Sequence, residues 1–195
     1  GTRFADAPWV GIDDVRCARL AAEHLIGLGH TQIAYLGVAR PLSAHRKTPA
    51  DRLAGFRRAM HDHDIPLRAE WVLASDWSPG DAYRSALELL SGSRRPTAVL
   101  AASDEMAVGV LGAARKLGLR VPEDLSVTGI DDHDVAEPLG LTTIRQNIAA
   151  EGAAAARALL ALLGILSRTE ATDHEVPVEL VVRRSTGPPP TWSQS

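Results

Sequence analysis

Residues 97 to 111 read TAVLAASDEMAVGVL. Small and apolar residues run as far as Ala102, stop at Ser103-Asp104, and give way to a pattern of different period. The first part has the length and composition of a buried strand. In the second, Ala107, Leu111 and Ala114 recur at helical spacing. A chain that only had to change direction there could use Gly or Pro. Two hydrogen-bonding residues at the junction raise the question of whether other strands end the same way.

They do. WVGI (9 to 12) ends at Asp13-Asp14, EWVLAS (70 to 75) at Asp76-Trp77, and the strand after Pro122 runs to Ile130 and ends at Asp131-Asp132. QIAYLG (32 to 37) is a further core strand. Between the strands lie helix-period segments: Leu20, Ala21, Leu25 and Leu28 before Gly29, then Leu53, Phe56 and Met60, then Ala82, Ala86 and Leu89 after Pro79. This alternation predicts βαβ units and an open parallel sheet with helices on both faces. LTTI (141 to 144) is a short β-branched strand and VPVELVVRR (176 to 184) a late one. Helix 149 to 166 is apolar nearly all round, so it is expected to be buried on more than one side. The terminal TGPPPTWSQS has no core-forming pattern.

Bulk properties narrow the class. The 195 residues carry 21 basic and 24 acidic side chains, a formal charge of −3, and no basic tract stands out. Nucleic-acid binding driven by Lys and Arg is therefore not expected of this chain alone. One cysteine, Cys17, excludes an internal disulfide framework and a cysteine zinc cluster, and it suits a reducing compartment. The N-terminal stretch has no apolar h-region, and the most membrane-like segment, 152 to 166, is short and interrupted by Arg157. A soluble, cytoplasmic protein is expected.

In an open parallel sheet the carboxyl ends of the strands share an edge, and ligands bind in the crevice beside it. Each polar pair could simply cap a helix, but capping requires neither doubled polar residues nor an aromatic such as Trp77. Arg52 sits at the start of a helix, where a cation is unfavourable. Its fork of donors therefore wants acceptors, with Asp131 or a polar ligand as candidates. Carboxylates, a guanidinium, a hydroxyl and an indole face together suit a sugar or similar polyol. Enzyme signatures are missing: no G-x-S-x-G, P-loop, G-x-G-x-x-G or H-E-x-x-H occurs. MHDHD (60 to 64) reads as the solvated end of a helix, not as a metal site. No cofactor is implied.

The phrases RLAAEHLIGLGHTQIAYLG, RLAGFRRAM, RPTAVLAASDEMAVGVLGAARKLGLRVPEDLSVTGIDD, LTTIRQ and VPVELVVRRST, in that order from about Val10 to Thr186, resemble the effector-binding core of the LacI/GalR family of bacterial transcriptional repressors. The resemblance implies a periplasmic-binding-protein-like type I core of two α/β subdomains with an effector held between them. It implies a C-terminal subdomain at 13 to 144 with 175 to 187. Residues 1 to 12 and 145 to 170 would be crossover segments of an incomplete N-terminal subdomain, and 188 to 195 a tail. The helix-turn-helix headpiece that reads operator DNA would lie outside this chain. Helix 149 to 166, without the sheet it would cover, should leave apolar area bare.

Residue by residue, Arg52 resembles the family's ligand-gripping arginine and Asp131 its ligand-binding carboxylate. Trp77 stands for a stacking aromatic and Ser103 for a common asparagine, while Arg46 and Thr48 match positions that contact effector in some members. Ile130 replaces an aromatic, and Ser103 offers one hydroxyl where an amide has two ends. Relatives dimerise through this subdomain, which makes the helix 104 to 117, with Val108 and Leu111, the expected contact. The expected function is non-enzymatic: sensing a small polar metabolite, with a sugar as the leading class, and coupling it to operator affinity as a homodimer. The competing reading is a transport-type binding protein of the same fold with no role at DNA.

Overall fold

The computed structural model describes residues 8–37, 47–167 and 172–191. Its centre is a four-stranded parallel sheet in the order β3-β2-β4-β5, formed by β2 (Ile33–Gly37), β3 (Val72–Ala74), β4 (Ala98–Ala101) and β5 (Ser126–Thr128). β2 and β4 are buried along their whole length, which explains why their sequences are continuous apolar runs instead of alternating ones. The register pairs Ile33 with Ala98 and Leu36 with Ala101 on one side, and Tyr35 with Val72 on the other.

Four helices cover this sheet: α1 (Asp14–Gly27), α2 (Thr48–Asp62), α3 (Pro79–Ser91) and α4 (Asp104–Lys116). The connection β2-α2-β3 moves one way across the sheet, whereas β3-α3-β4 and β4-α4-β5 move the other way. Right-handed crossovers therefore put α2 on one face and α3 with α4 on the opposite face. α1 packs beside α2 and α3 beside α4. Tyr35 of β2 stacks on Phe56 of α2, with ring centroids 5.3 Å apart. Each pair meets at a glycine. A Cβ on Gly55 would overlap the Val15 carbonyl, and one on Gly109 would overlap the Pro79 carbonyl and the Tyr83 amide.

Two features differ from the sequence expectation. After the short helix α5 (Ala136–Leu139), the sheet continues past β5 through isolated parallel bridges, Thr128 to Thr142 and Asp131 to Arg145, into β6 (Thr143–Arg145). β6 then pairs antiparallel with β8 (Glu179–Val181), so the outer edge is not parallel. The strand read at 9 to 12 lies outside this sheet, which the alternation of strands and helices alone does not show, although the family resemblance sets residues 1 to 12 apart as a crossover segment. β1 (Val10–Gly11) pairs with β7 (His174–Glu175) in a separate two-stranded sheet, against which α6 (Ile148–Leu162) packs. Apolar runs of equal character can serve either sheet, because periodicity carries no information about the partner strand.

α6 buries Ala154, Ala158 and Ala161 on one stripe, while Leu159, Leu162, Leu163 and Ile165 in and after it are each more than half exposed. Burial on more than one side is thus not observed, and the bare apolar face is. Among the described residues, no helix is long and apolar enough to cross a membrane.

Candidate functional site

Arg52 is 3 % exposed, in the second turn of α2. Placing a cation near the positive end of a helix is unfavourable unless acceptors surround it, and here they do. Its Nε donates to Asp14 Oδ1 at 2.9 Å, its Nη2 to Asp131 Oδ1 at 3.1 Å, and its Nη1 to the carbonyl of Ala102. Thr48, at the start of the same helix, donates its hydroxyl to the other Asp14 oxygen at 3.0 Å. The Trp77 ring lies over the guanidinium, 5.7 Å from Cζ to the ring centroid, a distance that allows a cation–π attraction. The arrangement is a buried charge with two counter-charges and an aromatic cover.

Asp131 follows β5 with φ 128°, and its amide donates to the Ile144 carbonyl at 2.8 Å, so the neighbouring strand fixes its backbone. Its Oδ1 also accepts from Gln146 Nε2. Burial pushes its carboxyl up to about 6 against the pull of Arg52, and the nearby Asp104 and Glu105 push the same way. The next residue, Asp132, has a different task. It accepts from Arg145 and Arg183, both at 2.7 Å, and tethers β6 and the segment after β8 to this corner. Burial raises its pKa, but those two guanidinium groups outweigh burial and leave it below the ordinary value.

The paired polar residues thus divide their labour. Asp13 caps α1, accepting from the Arg16 amide at 2.9 Å, while Asp14 grips Arg52. Ser103 is fully buried and caps α4 through the Met106 amide at 3.3 Å. It stands next to the Ala102 carbonyl that holds Arg52, with its hydroxyl engaged at the helix end. Asp104 is also fully buried. It accepts from Thr143 Oγ1 at 2.6 Å and the His133 amide at 2.8 Å, tying the β4-α4 junction to β6. Burial raises its pKa and these bonds oppose the rise. A Cβ on Gly129 would overlap this carboxylate, so a glycine is needed there. At the Asp76-Trp77 junction, Ser78 caps α3 and leaves Trp77 to the cluster.

Of the expected site residues, Arg52, Asp131, Trp77 and Thr48 converge and Ser103 borders them, whereas Arg46 lies outside the described residues. Val108 and Leu111 on α4 are half-buried, and Leu111 packs against the core. Sequence reasoning did not assign roles to Asp14, Gln146 or Asp104, although all three lie in phrases it singled out. The exposed residues His61 to Asp64 are solvated. Glu105, Asp131 and His133 bring carboxylate and imidazole atoms within 4.8 Å of one another, and the Glu105 carboxylate adds to the negative potential around Asp131. A hollow of about 350 Å³ lined by Asp13, Arg16, Arg19 and Arg58 lies apart from the cluster, between α1 and α2.

A parallel sheet with a charged, aromatic-covered cluster at its strand ends and a second small sheet reached by crossovers defines a periplasmic-binding-protein-like core. Residues 22–186 match the family described as periplasmic binding protein-like domain. The chain belongs to this family and, within it, to the LacI family of transcriptional regulators. It superimposes on a LacI family transcriptional regulator from Enterococcus faecium with bound ribose, with a TM-score of 0.85 and 31% identity over 96% of this chain and 68% of that one. Against the dimeric Lac repressor the TM-score is 0.78, with 34% identity over 91% of this chain and 63% of that one. It is 39% identical over 168 residues to the HTH-type transcriptional repressor PurR of Klebsiella pneumoniae (strain 342), covering 85% of this chain. The chain spans about half of that relative's length (48%).

Proposed function

We propose that the chain is the effector-sensing part of a DNA-binding transcriptional regulator, with the Arg52 cluster as its ligand site. One observation carries this reading: a guanidinium buried between Asp14 and Asp131 under an indole, at the edge where sheets of this kind bind ligands. Arginine has five N–H donors, and three of Arg52's are satisfied by the partners named above. The remaining donors and the second Asp131 oxygen can meet adjacent hydroxyls of a ligand, and the Trp77 face can meet its C–H surface. Thr48 and Arg46 complete the proposed contacts, and Ser103 joins them in this reading only by turning its hydroxyl proton to the ligand while still accepting from the Met106 amide. A small polar metabolite is the expected ligand, with a sugar as the leading class. Ribose in the E. faecium regulator supports that class.

In this reading residues 13 to 144 with 175 to 187 form the C-terminal subdomain, and 1 to 12 with 145 to 170 belong to a second one. Ligand held between the two favours one arrangement over the other. The same coupling, typically about 1–3 kcal/mol, alters affinity for operator DNA bound by a separate headpiece. The working form in this reading is a cytoplasmic homodimer, a state the dimeric Lac repressor supports, with α4, Val108 and Leu111 as the proposed contact. The similar proteins are regulators, not enzymes.

Calorimetry with a panel of sugars and nucleosides, ribose included, tests the site. Arg52→Ala and Asp131→Ala should each weaken the binder found by at least about 100-fold, since charge-assisted bonds lost in a buried site cost about 3 kcal/mol. Binding unchanged in both variants removes the assignment.

A further inference from the structure

We infer that Arg52 is also a latch between two of the three chain crossings that, among the described residues, join the small sheet to the large one (the third runs from β7 to β8), with Asp14 and Gln146 as the positioning residues through which each of the two holds it. This rests on the ligand-site reading and adds a means of regulation to it. The first crossing runs from β1 into α1, and Asp14 is the first residue of that helix. The second runs from β6 into α6, and Gln146 stands immediately before Asn147, which caps α6 by accepting from the Ala150 amide at 2.9 Å. Asp14 and Gln146 are distant in sequence and leave different sheets, yet both are linked to the same guanidinium, Asp14 directly and Gln146 through the Asp131 oxygen that Arg52 also bonds.

The connections are specific. Nε of Arg52 points to the first crossing and bonds Asp14 Oδ1 at 2.9 Å. Nη2 points to the second and bonds Asp131 Oδ1 at 3.1 Å, the same oxygen that accepts from Gln146 Nε2. Nη1 fixes the guanidinium to the Ala102 carbonyl at the end of β4, in the middle of the large sheet. One planar group thus ties these two crossings to the sheet core. A ligand engaging Nη2 or Asp131 would alter the hold on the second crossing while Nε still grips the first. Occupancy of the site therefore bears directly on how the β1-β7-α6 layer is held against the large sheet. Lysine could carry the charge but not span three acceptors in one plane.

Hydrogen exchange followed by mass spectrometry, on the chain as it is and without ligand, tests the latch. Arg52→Lys should speed exchange by about tenfold or more in peptides covering 13 to 17 and 147 to 151, while β2 and β4 keep wild-type protection. Equal loosening of every strand, or loosening at one crossing only, overturns the inference. If Arg52→Lys does not fold, Asp14→Asn and Gln146→Ala decide the matter. Each should loosen the opposite crossing as well as its own, because both act through Arg52. Loosening confined to the substituted side overturns the latch, since a merely local structural role predicts that result. Failure of the sugar and nucleoside panel would defeat the ligand reading and leave this test standing, so the two failures are separable.

Discussion

Asp131 is ionised only against the resistance of its surroundings. Its folded pKa of about 6 stands above the ordinary carboxylate value because burial raises it more than Arg52 lowers it. An acid raised on folding binds its proton more tightly in the folded state. Its contribution to stability is therefore full below about pH 4, declines as pH rises towards 6, and is flat above that. Ligand binding runs the other way, because protonation removes the acceptor. Affinity for the binder found should fall as pH drops below 6, approaching about tenfold per pH unit. Carbon-13 NMR titration of the Asp131 carboxyl checks the cause. The midpoint should lie near 6 and move upward in Arg52→Gln, which removes the opposing charge. A wild-type midpoint near 4 would contradict this description.

Helix contact is set by glycine. Gly109 lets α4 approach α3 until the Pro79 carbonyl occupies the space a side chain would need, and Gly55 does the same for α2 against α1. Helix propensity alone says that Gly→Ala gains up to about 1 kcal/mol. Overlap with backbone outweighs it, so Gly55→Ala and Gly109→Ala should each lose about 1–3 kcal/mol in urea denaturation. A gain in stability in either variant would mean the helices do not pack so closely. At this scale the sequence was informative. Helical spacing located the four helices that cover the large sheet but not the short helix Ala136–Leu139, and polar residues marked the strand ends. The unfavourable placement of Arg52 near a helix start predicted acceptors around it, and these are present. Its partner Asp14 was not legible, because a contact between residues 38 apart in different elements leaves no local pattern. Nor was the division between caps and site residues, since Ser103 and Asp131 offer the same chemistry until the helix amides are placed.

The whole molecule is a large mixed sheet joined by crossings to a small sheet and one helix. The periodicity of that helix showed only that it is apolar all round; its bare face was expected from the family resemblance and not from the pattern. Its pattern gives composition on every side, and only the number of neighbours decides how much is buried. Leu159, Leu162, Leu163 and Ile165 remain exposed together, a patch of the kind that binds apolar molecules or other chains. A hydrophobic fluorescent dye should bind the chain, and Leu159→Glu with Leu163→Glu should remove most of the signal without altering the sheet. Unchanged dye binding in that double variant would place the apolar surface elsewhere.

The most direct measurement is a crystal structure of the chain with the tightest binder from the sugar and nucleoside panel. The account predicts ligand oxygen or nitrogen atoms within hydrogen-bonding distance of Arg52 and Asp131, with the ligand's apolar side against Trp77. A ligand seated instead in the hollow lined by Asp13, Arg16, Arg19 and Arg58, with the Arg52 cluster untouched, would contradict it.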